Sequence, residues 1–306
     1  MSDPAGNRRK IFGILQVLLA GFGFGFLGIF AKYAIKNNLT TGLLLSGRFL
    51  SAGLVLFLGL LLFNRKLLLT HRKQFVTSLL LGLFGYAIFS SLYFKSLEGI
   101  SVALAAMLLF MFPFFVSLGA HFFLQIRMSP KQWLNLAFAF LGITLLVWGD
   151  LYVESIPSLV YGLLAAITYS GYVLLSGVYQ KDIHPLTSSL YVIWAAAFGL
   201  IVFHQPNLTD FINLNPTQWG LIIAIAVFST IMPISLFLSG LQKLTSPQAS
   251  LIVMVEPVVA LVAAWVLLSE KMSFVQIIGA IIVILALIFN SLEKRASKLN
   301  KNDSQS

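Results

Sequence analysis

The chain has no cysteine at all, so disulfides, thiolate metal sites and cysteine nucleophiles are excluded. It is also short of charge: only 10% of its 306 residues are Asp, Glu, Lys or Arg, against about 25% in a soluble domain. Its four histidines, His71, His121, His184 and His204, are scattered without ligand spacing, and no metal site is expected. No GxxxxGK[ST] run is present, so the chain carries no ATP-binding P-loop, and no cofactor is expected. No polar segment is long enough to form a separate soluble domain.

What is abundant is apolar sequence. The chain is 58% hydrophobic with a mean hydropathy of +0.93, which describes an all-α polytopic membrane protein. Ten apolar runs each approach the twenty or so residues that a bilayer crossing needs. They fall at 11–33, 41–63, 75–94, 101–124, 132–149, 157–179, 186–204, 217–239, 248–268 and 273–291. The first run follows Arg8, Arg9 and Lys10 and is too long for a signal-peptide core, so it is expected to be retained as a helix. Short connections make neighbouring helices antiparallel; the longest, 205–216, has room for a surface turn only.

Lysine and arginine set the orientation. With the N-terminus in the cytoplasm, fifteen of them fall on inner segments, four (Lys32, Lys36, Lys95, Lys271) on outer ones, and Arg48 within a helix. Both tails, 1–10 and 292–306, are therefore expected to be cytoplasmic, in a cell or inner membrane. The net charge of +10 is accounted for by this bias and by anionic lipid headgroups, and nucleic acid is not an expected partner.

Sliding the chain by 144 residues lays Ser91–Leu134 on Ser235–Ile278 without a gap, with ten identities in 44 positions. Pro113 falls on Pro257, Ser129 on Ser273 and Gln132 on Gln276, while Glu256 falls opposite Phe112. Five crossings per half is an odd number, so the second half enters from the opposite side. The expected fold is ten transmembrane helices in an inverted 5+5 repeat, residues 11–149 and 157–291, an architecture common in secondary transporters.

The two halves resemble the paired EamA domains of the drug/metabolite transporter superfamily. The resemblance is carried by Arg48-Phe49-Leu50, by Tyr93-Phe94-Lys95-Ser96-Leu97 running through Ser101-Val102-Ala103, by Phe112-Pro113, and by Val255-Glu256-Pro257 through Leu268-Ser269-Glu270-Lys271. It covers about residues 11–290. One departure stands at the end of the fourth run, where the family often has an acidic turn and this chain has Gln125-Ile126-Arg127. The resemblance implies a central cavity and a small-solute cargo, with amino acids or related amines, and efflux, as the favoured cargo and direction.

Individual residues refine this. Glu256 lies about nine residues into its run, roughly 13 Å deep, where a charge costs about 2.5–3.5 kcal/mol on insertion scales. It is either a proton- or cation-binding acid or a structural group capping backbone donors at the Pro257 kink, which frees the Val253 carbonyl. Arg48 lies about 10 Å deep and is either an anion clamp or a structural, snorkelling arginine; its repeat mate is Ala195. Tyr169 and Tyr172 share a helix face, and with Tyr86 they offer buried hydroxyls and rings suited to aromatic or cationic cargo.

Phe22 and Phe112 are further candidate wall residues, Phe22 beside Gly21, Gly25 and Gly28 on one face of the first helix. Ser235 lies near the third candidate kink, Pro233, together with Ser229 and Thr230; these hydroxyls either satisfy opened backbone or face a cavity. The reading is a transporter or permease, not an enzyme, whose partners are a small-molecule substrate, the lipid bilayer and protons as coupling ion, with no oligomeric state indicated. A passive channel or a lipid flippase is the alternative. A membrane-embedded enzyme on a lipid-linked substrate is the least supported, because no cluster of acids and histidines converges in the sequence.

Overall fold

Because the runs are apolar on nearly every side, each must satisfy its backbone internally, and each forms a helix. The computed structural model describes residues 4–149 and 151–303; residues 1–3 and 304–306 of the two tails lie outside the described residues. Among the described residues there are no strands, only an isolated antiparallel bridge between Ile100 and Val153. Eight helical segments are long and apolar enough to cross a membrane. They are α1 (Gly6–Lys36), α2 (Gly42–Phe63), α3 (Arg72–Ser96), α4 (Val102–Phe123), α6 (Ile156–Tyr179), α7 (Pro185–His204), α8 (Pro216–Leu241) and α9 (Ser246–Leu268). Two further helices stand where the remaining apolar runs lie: α5 (Pro130–Leu146), and α10 (Phe274–Asp303), whose apolar part is Phe274–Asn290. The long connection holds one short helix, Leu208–Ile212.

Helix breaks recur at the 144-residue spacing. α3 contains a π-helical stretch at Leu81–Ala87, and α8 contains one at Val227–Ile231. α4 is interrupted at Phe110–Met111 and restarts at Phe112-Pro113. α9 tightens to a 3-10 turn at Val253–Val255 and restarts at Glu256-Pro257. In both, proline takes the second position of a new helix, where its missing N–H removes nothing.

The ends of α4 and α9 also match. Gln125 (φ 53°) and Ser269 (φ 55°) adopt the left-handed conformation, and the following N–H, of Ile126 or Glu270, reaches back to the carbonyl of Ala120 or Ala264. This is a Schellman closure without glycine in either half. The next helix then opens on a reciprocal cap, Ser129 with Gln132 and Ser273 with Gln276.

Packing follows the same exchange of halves. α3 packs on α6 as α8 packs on α1; α4 packs on α6 as α9 packs on α1; α2 pairs with α7 and α5 with α10. At the α5–α10 crossing the backbones touch, and a methyl on Gly142 would come 3.0 Å from the Gly279 carbonyl oxygen. The mate of that contact is Asn135 with Ala286, where the Asn135 amide donates to the Ala286 carbonyl at 2.9 Å.

The glycines of α1 behave as expected in part. Gly21 lies against Val253 and Val255, and a methyl on Gly25 would come 2.8 Å from the Glu256 carbonyl oxygen. Gly28 has open space beside it instead of a close neighbour. The reason is a break in α1 at Phe26, which ends the regular face before Gly28 is reached. The Val253 carbonyl at the α9 break is not idle either: it accepts the Glu256 N–H and faces Gly21.

Candidate functional site

The breaks of α3, α4 and α9 surround the middle of the bundle, and the chemistry-bearing side chains gather there. Tyr86, on the π-helical stretch of α3, is the hub of a ring cluster. Its ring centroid is 5.3 Å from Tyr172 and 6.4 Å from Tyr169, both edge-on, and 5.4 Å from Phe49. Tyr169 and Tyr172 stack at 5.9 Å with 16° between their planes. Phe112, the first residue after the α4 break, closes on Tyr169 at 4.8 Å, and Phe89 does so at 4.6 Å. Edge-to-face and offset contacts of this kind add about 0.5–1.5 kcal/mol each beyond burial, so the cluster is a stiff wall.

Two opposite charges approach this wall. Arg48 is 6% exposed, its guanidinium carbon 4.6 Å from the Phe49 ring centre. Its Nε is buried without a hydrogen-bond partner among the described residues. Glu256 occupies the first turn of the restarted α9 helix, where the N-terminal end of the helix dipole favours an anion. It is only partly covered by the rest of the protein, and no hydrogen bond or ion pair to its carboxylate is found among the described residues. Tyr86 lies within electrostatic reach of both Arg48 and Glu256. The two charges are not an ion pair: the one salt bridge among the described residues joins Lys32 to Glu270, just beyond the C-terminal end of α9.

The structure thus brings together Arg48, Tyr86, Phe112, Tyr169, Tyr172 and Glu256. It sets Phe22 apart: half exposed, with its ring against Phe26 on the outer side of α1, away from the cluster. Ser235 is buried and bonds to Ser189 at 3.0 Å, tying α8 to α7. Near Pro233, Ser229 donates to the Gly23 carbonyl at 2.8 Å and Thr230 to the Ile225 carbonyl at 3.1 Å, so these hydroxyls satisfy backbone. The Ala195 mate of Arg48 packs against Gly82, where a methyl would meet its Cβ at 2.7 Å. Phe89 and Tyr93 are not among the site residues expected from the sequence, although Tyr93 carries part of the family resemblance; Phe89 packs on Tyr169, and Tyr93 lies within electrostatic reach of Glu256. Their signal was the spacing Tyr86, Phe89, Tyr93, which is one helical stripe.

At the lysine-rich end, polar bonds tie the two halves in a layer. The Gln16 amide donates to Ser239 at 2.8 Å, Thr187 to the Leu67 carbonyl at 2.7 Å, and the Gln180 amide to Ser78 at 3.4 Å. Gln242 braces Gln180 from behind, donating to its carbonyl and to that of Ile183. No group of three or more His, Asp or Glu that could hold a metal is found among the described residues.

Comparison with known proteins is consistent throughout the chain. The model of a family described as "EamA-like transporter family" matches twice, at residues 11–148 and 156–292. A Bacillus subtilis protein named as an uncharacterized transporter, YyaM, is 26% identical over 240 residues, covering 76% of this chain and 78% of its own. An Escherichia coli protein named as a probable amino-acid metabolite efflux pump is 25% identical, covering 75% and 82%. A crystal structure superposes with a TM-score of 0.78 over 95% of this chain and 98% of its own, at 15% identity, which is a likeness of fold.

Proposed function

This chain belongs to the EamA-like transporter family, and from that premise we propose that it exports a small amino acid or related amine by alternating access between two inverted halves. The observation that carries the cargo is the separated pair of charges. Arg48 and Glu256 both lie on membrane-spanning helices within electrostatic reach of Tyr86, and they form no ion pair with each other. A charge without a partner inside the membrane is expensive. A cargo with a carboxylate at one end and an ammonium at the other meets both, and its side chain meets the Tyr86–Tyr169–Phe112 wall.

Support for the inverted repeat, and for α5 and α10 as its ninth and tenth crossings, comes from the recurrence of breaks and closures at one 144-residue spacing. It comes also from a packing pattern unchanged when the halves are exchanged. The polar layer at the lysine-rich end suits a cytoplasmic gate that must open and close in each cycle, with both termini in the cytoplasm and the protein in the cell membrane. Glu256, carrying no bond of its own among the described residues, serves in this reading as the group that takes up a proton when the cargo's ammonium leaves.

The test is exchange in proteoliposomes loaded with labelled substrate. Zwitterionic amino acids are expected to exchange faster than their decarboxylated amines and faster than N-acetylated acids. Equal rates for all three would remove the two-charge site, and leakage without saturation would favour a channel. A likeness in name to an amino-acid metabolite efflux pump supports the same cargo class.

A further inference from the structure

A groove of about 490 Å³ runs along the outer surface between α3 and α6; it contains neither Arg48 nor Glu256 and meets the ring cluster only at Tyr172. Its α3 wall extends from Lys73 through Thr77 to Phe84 and Gly85, its α6 wall from Tyr179 through Leu175 to Thr168. From Lys73 to Gly85 is about 18 Å at 1.5 Å per residue, more than half of the ~30 Å hydrocarbon thickness. The groove is built rather than incidental. Gly171 on its floor has nothing within 4 Å of where a side chain would begin, and the upper wall is the π-helical stretch of α3. Gly85 brings that stretch against Tyr172, 3.0 Å from an added methyl.

Its lining is largely apolar, and its two threonines already donate to their own helices, Thr77 to the Lys73 carbonyl and Thr168 to the Leu164 carbonyl. Phe84 and Leu175 are 57% and 47% exposed, on segments long and apolar enough to cross a membrane. At the open end stands Lys73, exposed and in no salt bridge among the described residues. An apolar trough of this length with a cation at its headgroup end matches a lipid with an anionic head.

We propose that this groove is a binding site for an anionic phospholipid, with one acyl chain lying between α3 and α6 and the phosphate meeting Lys73. The chain end abuts Tyr172, so the lipid props the seam that carries half of the ring cluster. The inference does not depend on the identity of the cargo.

The experiment uses full-length protein in vesicles containing phosphatidylglycerol or phosphatidylcholine with a photoreactive group near the acyl terminus, followed by peptide mapping. Labelling by the phosphatidylglycerol probe is expected at Phe84 and Leu175 at least fivefold above equally exposed Leu134 and Phe138 on α5. The phosphatidylcholine probe should show less than half of that preference. Gly171→Phe should abolish the preference, and Lys73→Gln should lower the phosphatidylglycerol signal to the phosphatidylcholine level. Uniform labelling over all exposed positions in the wild-type protein would overturn the site, whatever the variants do. Equal preference for both lipids would overturn the role of Lys73 and the anionic class with it. Because labelling needs no transport, failure here leaves the cargo proposal standing, and failure of the cargo proposal leaves this one.

Discussion

The break in α4 and the break in α9 have the same geometry and different chemistry. Each ends one helix, turns, and starts another with proline in second place, 144 residues apart. One turn presents Phe112, which is 2% exposed and packs on Tyr169; the other presents Glu256, partly exposed and bonded to nothing described. The bend therefore comes from proline and is duplicated, whereas the charge is placed once. Matching breaks thus carry different side chains, and in the function proposed above the acid would meet an ammonium where the other break offers a ring.

The sharpest way to break this comparison is to remove the charge and keep the shape. Glu256→Gln is expected to abolish proton-driven accumulation in proteoliposomes while leaving substrate-induced thermal shifts intact. Accumulation with unchanged pH dependence would return Glu256 to a purely structural role at the bend. Next in size is Arg48→Ala. It should weaken binding of carboxylate-bearing cargo by about 10- to 100-fold, the worth of a hydrogen bond to a charged group at about 1.5–3 kcal/mol, and weaken binding of amines much less. Equal losses for both would make the arginine a folding residue.

Tyr169→Ala opens a hole in the ring cluster and should cost about 3–5 kcal/mol of stability, on the scale of large aromatic truncations. Tyr169→Phe should stay near the wild-type melting temperature but alter cargo affinity. If the phenylalanine variant binds like the wild type, the hydroxyl has no part in recognition. The smallest effects compare the two halves directly. Ser129→Ala and Ser273→Ala each remove a reciprocal cap and should cost about 0.5–2 kcal/mol, by similar amounts. A strongly unequal pair would show that the repeated local geometry does not carry repeated energetics.

Much of the architecture was legible because it depends on local patterns. Apolar runs of bilayer length, Pro113 and Pro257, and the Ser-x-x-Gln caps at 129 and 273 each act within a few residues of themselves. The α1 face was read correctly at Gly21 and Gly25 and failed at Gly28, because nothing in Gly25-Phe26-Leu27-Gly28 announces the break at Phe26. Of the two π-helical stretches, only that of α8 had a local mark. The one in α8 runs up to Pro233, a candidate kink, but the one in α3 has no proline to mark it, and it is this one that carries Tyr86 against Tyr172.

The candidate site shows the same division. Arg48, Tyr86, Phe112, Tyr169, Tyr172 and Glu256 were singled out separately, each as a polar or aromatic group where hydrocarbon was expected. Phe22 was singled out on the same grounds and faces outward, since a phenylalanine is at home in lipid as in a core and its identity does not choose between them.

From its sequence alone this protein was determined to lie in a membrane, to be helical, and to repeat itself about Pro113 and Pro257. Those properties follow from transfer free energy and backbone geometry, which are short-ranged. Which buried groups meet was decided only by tertiary packing. Arg48 and Glu256 are separated by more than two hundred residues, and their approach to Tyr86 without forming an ion pair depends on how α2, α3 and α9 cross. No local pattern encodes that crossing.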